Sequence, residues 1–326
     1  MSTIIISAVI VRLILVKKIS IFSYLLPFVQ KETKPLTTAA KINEDVSEAT
    51  KGLIKEIITS IPSDTALILI NAIYFKGDWQ EKFDKSKTKP MKFKVSPNKI
   101  VDYPEGMNLR KKLLYAKIKG KLQRDLGRLA KIIFLKFYFH TYSGKKGEDM
   151  EIVALNYTNT DFRMLFILPD KCVKNVNLAD IDFETLNGEL RSIELTLKLP
   201  KFKIEYENQL KKTFKALGVK EIFKDSANLE EITDAKVSVS KIIHKAVIEV
   251  QEEGAEAAAA TAIVMESRSA NRQQQKVIEF DRPFLFIIQD VNHRIPLFMG
   301  RIVDPRYFFF IYDFNSVIKI PLIISI

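Results

Sequence analysis

The sequence predicts an α+β fold on three observations. Val46, Leu53, Ile54, Ile57 and Ile58 recur at helical spacing and share one face of a helix over Asn43–Ser60. Lys245–Val250 alternates apolar and polar residues, as a half-buried strand does. Directly after that strand comes Glu252–Thr261, Glu-Glu-Gly-Ala-Glu-Ala-Ala-Ala-Ala-Thr, whose four consecutive alanines fill no core and make no catalytic group.

Taken in order, the chain opens on a hydrophobic and basic stretch. Residues 1–35 are broken by Arg12 and by Lys17-Lys18, so no apolar run reaches the roughly 18 residues of a membrane span. No basic residue precedes Thr3–Val11 and no small-x-small site follows Ile19–Val29, which makes a poor secretory signal. Asn43 is placed to cap the helix over 43–60, and the next apolar run, Thr65–Tyr74, reads as a central strand. Val101–His140 reads as a basic, helix-like insertion, with Leu122, Leu126, Leu129, Ile132, Ile133 and Leu135 as its apolar residues. Arg306–Ile326 forms an apolar, aromatic tail.

Period-2 numbering of the alanine run puts Ala255, Ala257, Ala259, Thr261, Ile263 and Met265 on one side. Glu256, Ala258, Ala260, Ala262, Val264 and Glu266 fall on the other. With both glutamates in one set, the segment can lie in a sheet with its other side buried. An alanine-rich helix, which propensity favours, and a flexible loop are the alternatives.

Composition excludes several function classes. The formal charge of +12 raises nucleic acid as a partner, but residues 1–35 hold +4, 101–140 hold +7 and 306–326 hold +1. The remainder is neutral, so no nucleic-acid partner is expected; polyanion binding by the basic insertion is left open. The single cysteine, Cys172, rules out an intrachain disulfide. His140, His244 and His293 show no ligand spacing, and no glycine-rich phosphate loop is present. The expectation is therefore no cofactor, no metal and no enzyme.

Four stretches in order resemble signatures of the serpin family of serine protease inhibitors. They are Asn71–Trp79, His244–Val250 leading into the alanine run, Phe280–Asp290, and Pro296–Pro305. The resemblance implies a multi-sheet fold with a large central β-sheet, packed helices and an exposed reactive-centre loop. It covers a single domain over 36–305, with 1–35, 101–140 and 306–326 as non-matching segments. Only 70 residues precede Asn71, fewer than the family's usual front. The first helices and part of the floor under the sheet are thus expected to be absent, and with them efficient folding or inhibition.

The resemblance also implies roles. Glu252, Glu253, Gly254, Ala255, Glu256, Ala257, Ala258, Ala259, Ala260 and Thr261 form the loop hinge, whose small side chains slip between strands after cleavage. The bond offered to a protease is Arg268-Ser269, Arg268 being the seventeenth residue counted from Glu252; Arg272 is the runner-up. An arginine there suits a trypsin-like serine protease, whose pocket pairs it with a carboxylate. Asn71 and His244 form a hydrogen-bonded gating pair, and Trp79, Lys201 and Glu252 cluster where the sheet opens. The expected activity is suicide inhibition of a trypsin-like protease by a monomer. A non-inhibitory carrier or an inactive truncated product is the alternative. The family favours secretion, the amino terminus leaves an intracellular location open, and Asn156-Tyr157-Thr158 is a glycosylation sequon.

Overall fold

A computed structural model describes residues 5–15, 39–62, 65–118, 149–158, 161–170, 188–216, 218–229, 236–253, 276–293 and 295–306. Two sheets organise these residues. The smaller has the order β1 (Ile5–Leu15), β2 (Leu67–Lys76), β9 (Val239–Val250), β8 (Phe202–Gln209). The larger has the order β10 (Lys276–Glu279), β7 (Arg191–Pro200), β4 (Lys99–Ile118), β5 (Met150–Asn156), β6 (Phe162–Pro169), β11 (Phe284–Asp290), β12 (Ile295–Ile302). Strand β3 (Lys89–Ser96) pairs with β4.

The sheets meet in a core of aromatic and branched side chains. Phe75, Phe202, Ile204, Ile248 and Val250 of the smaller sheet pack with Leu109, Val153, Phe166, Ile278, Phe284 and Phe286 of the larger. Ring pairs such as Phe166–Phe280 and Phe202–Phe284, with centroids 5.8 and 6.0 Å apart, lock this layer edge to face. Strands β6 and β11 are buried on both faces, which is why Phe162–Pro169 and Phe284–Asp290 read as continuous apolar runs.

The other face of the smaller sheet carries Ile68, Ile70, Ala72, Tyr74, Ile243 and Val247, covered by Ile42, Val46, Ile54, Ile57 and Ile58. Those covering residues do not belong to one helix. Helix α1 spans only Ala39–Ala49, and Lys51 and Gly52 adopt positive φ (52° and 77°), turning the chain back on itself. Leu53–Ser60 then returns along α1 without helical structure. Asn43 is correspondingly not a helix cap: its Oδ1 accepts from the backbone N–H groups of Ile57 and Ile58 at 2.9 and 3.1 Å, and its Nδ2 donates to Ile58 O.

One further expectation is corrected. Val101–Ile118, expected to start a basic helical insertion, lies in β4, which pairs with β7 over Gly106–Tyr115 and with β5 over Leu114–Ile118. Met107, Leu109 and Leu113 enter the core, while Arg110, Lys111 and Lys112 stay exposed, two of them paired with Glu194 and Glu81. The apolar residues Leu122–Leu135 lie outside the described residues. Within 1–35, Ile5–Leu15 is a strand antiparallel to β2. Among the described residues no helix is long and apolar enough to cross a membrane. Cys172, His140 and Tyr307–Ile326 lie outside them.

Candidate functional site

Strand β9 runs parallel to β2 from Leu67↔Val239 to Phe75↔Ile248, and both strands end at the same edge of the sheet. There the chain leaving β9 is held by the segment leaving β2. Three consecutive carbonyls are captured: Trp79 Nε1 donates to Gln251 O at 2.8 Å, Phe83 N to Glu252 O at 2.8 Å, and Trp79 N to Glu253 O at 3.2 Å. Trp79 is 1% exposed and stacks on Tyr157 at 4.5 Å. Gly77 makes room for that stack, since a Cβ there would stand 2.8 Å from the Tyr157 ring.

Glu252 is buried at this junction, with its carboxylate occupied on both oxygens. Thr88 Oγ1 donates to Oε1 at 2.8 Å, and Lys201 Nζ lies 3.6 Å from Oε2 while donating to Glu105 at 3.1 Å. Desolvation pushes the Glu252 pKa up, but its backbone N–H, Thr88 and Lys201 outweigh this and hold it below the usual carboxylate range. Lys201 is raised in turn: burial lowers it, and Glu105 and Glu252 more than compensate. The Tyr103 hydroxyl donates to Lys201 O, fixing the backbone from which this lysine projects. Lys85 pairs with Glu253 at 3.0 Å.

The structure thus brings Trp79, Lys201, Glu252 and Glu253 together. Gly254, Ala255, Glu256, Ala257, Ala258, Ala259, Ala260, Thr261, Arg268 and Ser269 lie outside the described residues, between Glu253 and Lys276. Sequence reasoning missed Tyr157, Phe83 and Thr88. The Thr88 hydroxyl meets Glu252 across 164 positions of sequence, for which no local pattern exists.

Asn71 and His244 are register partners in the middle of the β2–β9 ladder. The hydrogen bond expected between them is not formed: Asn71 Oδ1 and His244 Nδ1 are both buried without a partner among the described residues. They sit between the main core and a second apolar cluster of Leu67, Leu210, Phe223, Val239 and Ile242. The Tyr206 ring stands 5.7 Å from the imidazole. Burial lowers the His244 pKa from 6.5 to about 4. Its neutral form therefore supports stability fully above pH 6.5, and that support is lost as pH falls toward 4, to a total of about 3 kcal/mol. Urea melts at pH 7 and pH 4.5 test this, with His244→Gln expected to flatten the difference.

A family model described as "Serpin (serine protease inhibitor)" matches residues 27–305. The chain belongs to the serpin family. This serpin is 34% identical over 271 residues to "Serine protease inhibitor 42Dd" of Drosophila melanogaster, with 82% of the chain and 64% of the fly protein covered. It is also 34% identical over 271 residues to "Iripin-8" of Ixodes ricinus, covering 80% of the chain and 60% of that protein. The serpin chain therefore spans less than two thirds of these relatives. Among solved structures, uncleaved ovalbumin superposes with a TM-score of 0.67 at 25% identity, over 91% of this chain and 77% of ovalbumin. Among the described residues of this serpin, no three His, Cys, Asp or Glu side chains converge on a metal-sized site.

Proposed function

We propose that this serpin inhibits a trypsin-like serine protease as a suicide substrate. The protease serine attacks the Arg268 carbonyl and the Arg268–Ser269 amide breaks. The new amine leaves on Ser269, and Arg268 stays esterified to the enzyme. Residues 252–267 then enter the smaller sheet between β2 and β9.

The observation that carries this reading is the parallel β2–β9 ladder with the loop root fastened at its end. A chain that leaves the end of β9 and folds back runs antiparallel to both strands. Inserting it replaces one parallel ladder by two antiparallel ones, the pairing that is slightly more stable per residue. The small residues Ala255, Ala257 and Ala259 let it pass, and Gly254 lets it turn. Trp79, Lys201 and Glu252 hold the root until cleavage. Asn71 and His244, with unpartnered side-chain atoms in the middle of the ladder, lie on the path the loop would take.

Incubation with trypsin, followed by denaturing electrophoresis and mass spectrometry, tests the reading. An SDS-stable adduct carrying the fragment that ends at Arg268 is expected. Arg268→Ala should lower the association rate by at least about a hundredfold, because the charge paired in the protease pocket is lost. Cleavage after Arg268 without adduct would instead support a non-inhibitory serpin. The reading favours secretion, and the sequon residue Asn156 is exposed at the end of β5, its Nδ2 3.3 Å from Gln80 Oε1.

A further inference from the structure

Where the chain returns from the loop, three side chains from three strands converge. Lys276 Nζ donates to the Tyr115 hydroxyl at 2.6 Å and lies 3.0 Å from Glu151 Oε1. The Tyr115 hydroxyl donates to the same carboxylate oxygen at 2.8 Å, and the ammonium stands 4.2 Å from the Tyr115 ring centroid. We propose that Lys276, Tyr115 and Glu151 form a clamp that fastens the distal root of the reactive loop and sets where the Arg268–Ser269 bond is presented. This rests on the inhibitor reading only for the identity of the presented bond.

Strand β10 needs such a hold. It has four register pairs, all with β7, and forms one edge of the larger sheet. On the core-facing side Ile278 is buried, and Lys276 projects at the margin of that face. On the opposite face Lys198 and Glu279 pair at 3.1 Å, each about two fifths exposed, a setting in which ion pairs add little. The clamp is better shielded. The Glu151 side chain is 18% exposed, and the lysine reaches across β7 to bind residues of β4 and β5. It therefore ties the edge strand to the body of the sheet rather than to its neighbour alone.

The neighbouring charges leave the clamp intact. Arg191, opposite Tyr115 in register, donates to the carbonyls of Gly188 and Leu190. Lys117, opposite Glu151, lies 3.9 Å from Asp170. Burial lowers the Lys276 pKa, but its bonds to Tyr115 and Glu151 leave it raised; Glu151 is raised by desolvation and brought below its ordinary value by Lys276 and Tyr115. All three members thus hold their bonding forms at neutral pH.

Tether length gives this root the tighter bound on where the bond can lie. Ser269 is seven residues from Lys276, whereas Arg268 is fifteen from Glu253. At roughly 3.5 Å per residue, the distal arm reaches about 25 Å and the proximal arm about twice that. Releasing Lys276 lengthens the short arm and frees the bond; loosening the proximal root changes the reachable volume far less.

The test compares Lys276→Met, Glu151→Gln and Lys276→Arg in the full chain. Lys276→Met and Glu151→Gln should raise amide exchange over 277–280 about tenfold relative to β7, as loss of one charge-assisted hydrogen bond implies. The melting temperature should move by less than about 3 °C, and Lys276→Arg should restore protection. Limited trypsin digestion should shift toward the bond after Arg272, raising its share relative to Arg268 at least threefold, a change that uniform destabilisation does not produce. Unchanged exchange over 277–280 overturns the clamp. Raised exchange with an unchanged ratio of cuts overturns its role in presentation. Absence of an SDS-stable adduct with the unsubstituted chain defeats the inhibitor reading, while exchange and the cut ratio still decide the clamp.

Discussion

Ala257→Arg is expected to convert the proposed inhibitor into a substrate of trypsin. The segment bearing Ala257 must lie between β2 and β9, and both faces of that sheet are apolar toward the ends of those strands, with Asn71 and His244 deeper along the ladder. One carries Ile68, Ile70, Ala72 and Val247 against α1, and the other carries Phe75, Ile248 and Val250 against the main core. A guanidinium placed there leaves water without a partner, which costs several kcal/mol. Insertion then slows by about two to three orders of magnitude for each 3 to 4 kcal/mol added to its barrier. Hydrolysis of the acyl ester at Arg268 wins the competition. The expected result is a stoichiometry above about ten inhibitor molecules per protease, with nearly all product cut after Arg268 and little SDS-stable adduct. Because an arginine at 257 also offers trypsin a new bond, Ala257→Glu serves as companion; Ala257→Ser should inhibit normally. A full yield of adduct from the Glu variant would mean that insertion does not drive inhibition here.

The elements that the sequence announces are those whose pattern is local. Thr65–Tyr74 and Lys245–Val250 are runs with strand spacing; the first appears as Leu67–Lys76, shifted by two residues, and the second is extended back to Val239. The helix expected over Asn43–Ser60 runs too far because Ile54, Ile57 and Ile58 keep helical spacing after the chain has turned. Their burial comes from packing beside α1, and Gly52 is the available stop signal. The strand Lys99–Ile118 is hidden by the basic triplet Arg110, Lys111 and Lys112, of which Arg110 and Lys111 pair at the sheet surface with Glu194 and Glu81. Glu194 and Glu81 lie far from it in sequence.

The site divides in the same way. Trp79, Lys201 and Glu252 are placed together by family resemblance, and the geometry joins them through Gln251, Thr88 and Glu105. None of these three linking residues carries a spacing that marks it. For Asn71 and His244 the resemblance supplies the neighbours but not the bond. Register alone brings the two residues side by side, while each side chain's hydrogen bonding depends on what covers that face of the sheet.

Trp79→Ala should have the largest effect on stability. The indole is 1% exposed, lies at 18° to the Tyr157 ring, and has Phe166 at 6.4 Å, so its removal opens a cavity where the two sheets meet. Loss of a buried tryptophan costs about 3–5 kcal/mol, equivalent to on the order of 10 °C in melting temperature. Trp79→Phe separates packing from anchoring. It keeps much of the buried ring but strands Gln251 O, a penalty of about 1–3 kcal/mol confined to the loop root. Amide exchange should then rise over Val250–Glu253 in the Phe variant and across both sheets in the Ala variant. Trp79 is also the chain's one tryptophan, so its emission reports the root directly. Insertion of the cleaved loop draws Gln251–Glu253 toward the gap between β2 and β9, which must break the Nε1–Gln251 bond or carry the indole with it. Cleavage after Arg268 should accordingly shift the emission of the unsubstituted protein. An unshifted spectrum after complete cleavage would show that the root stays where it is and that the loop does not enter the sheet.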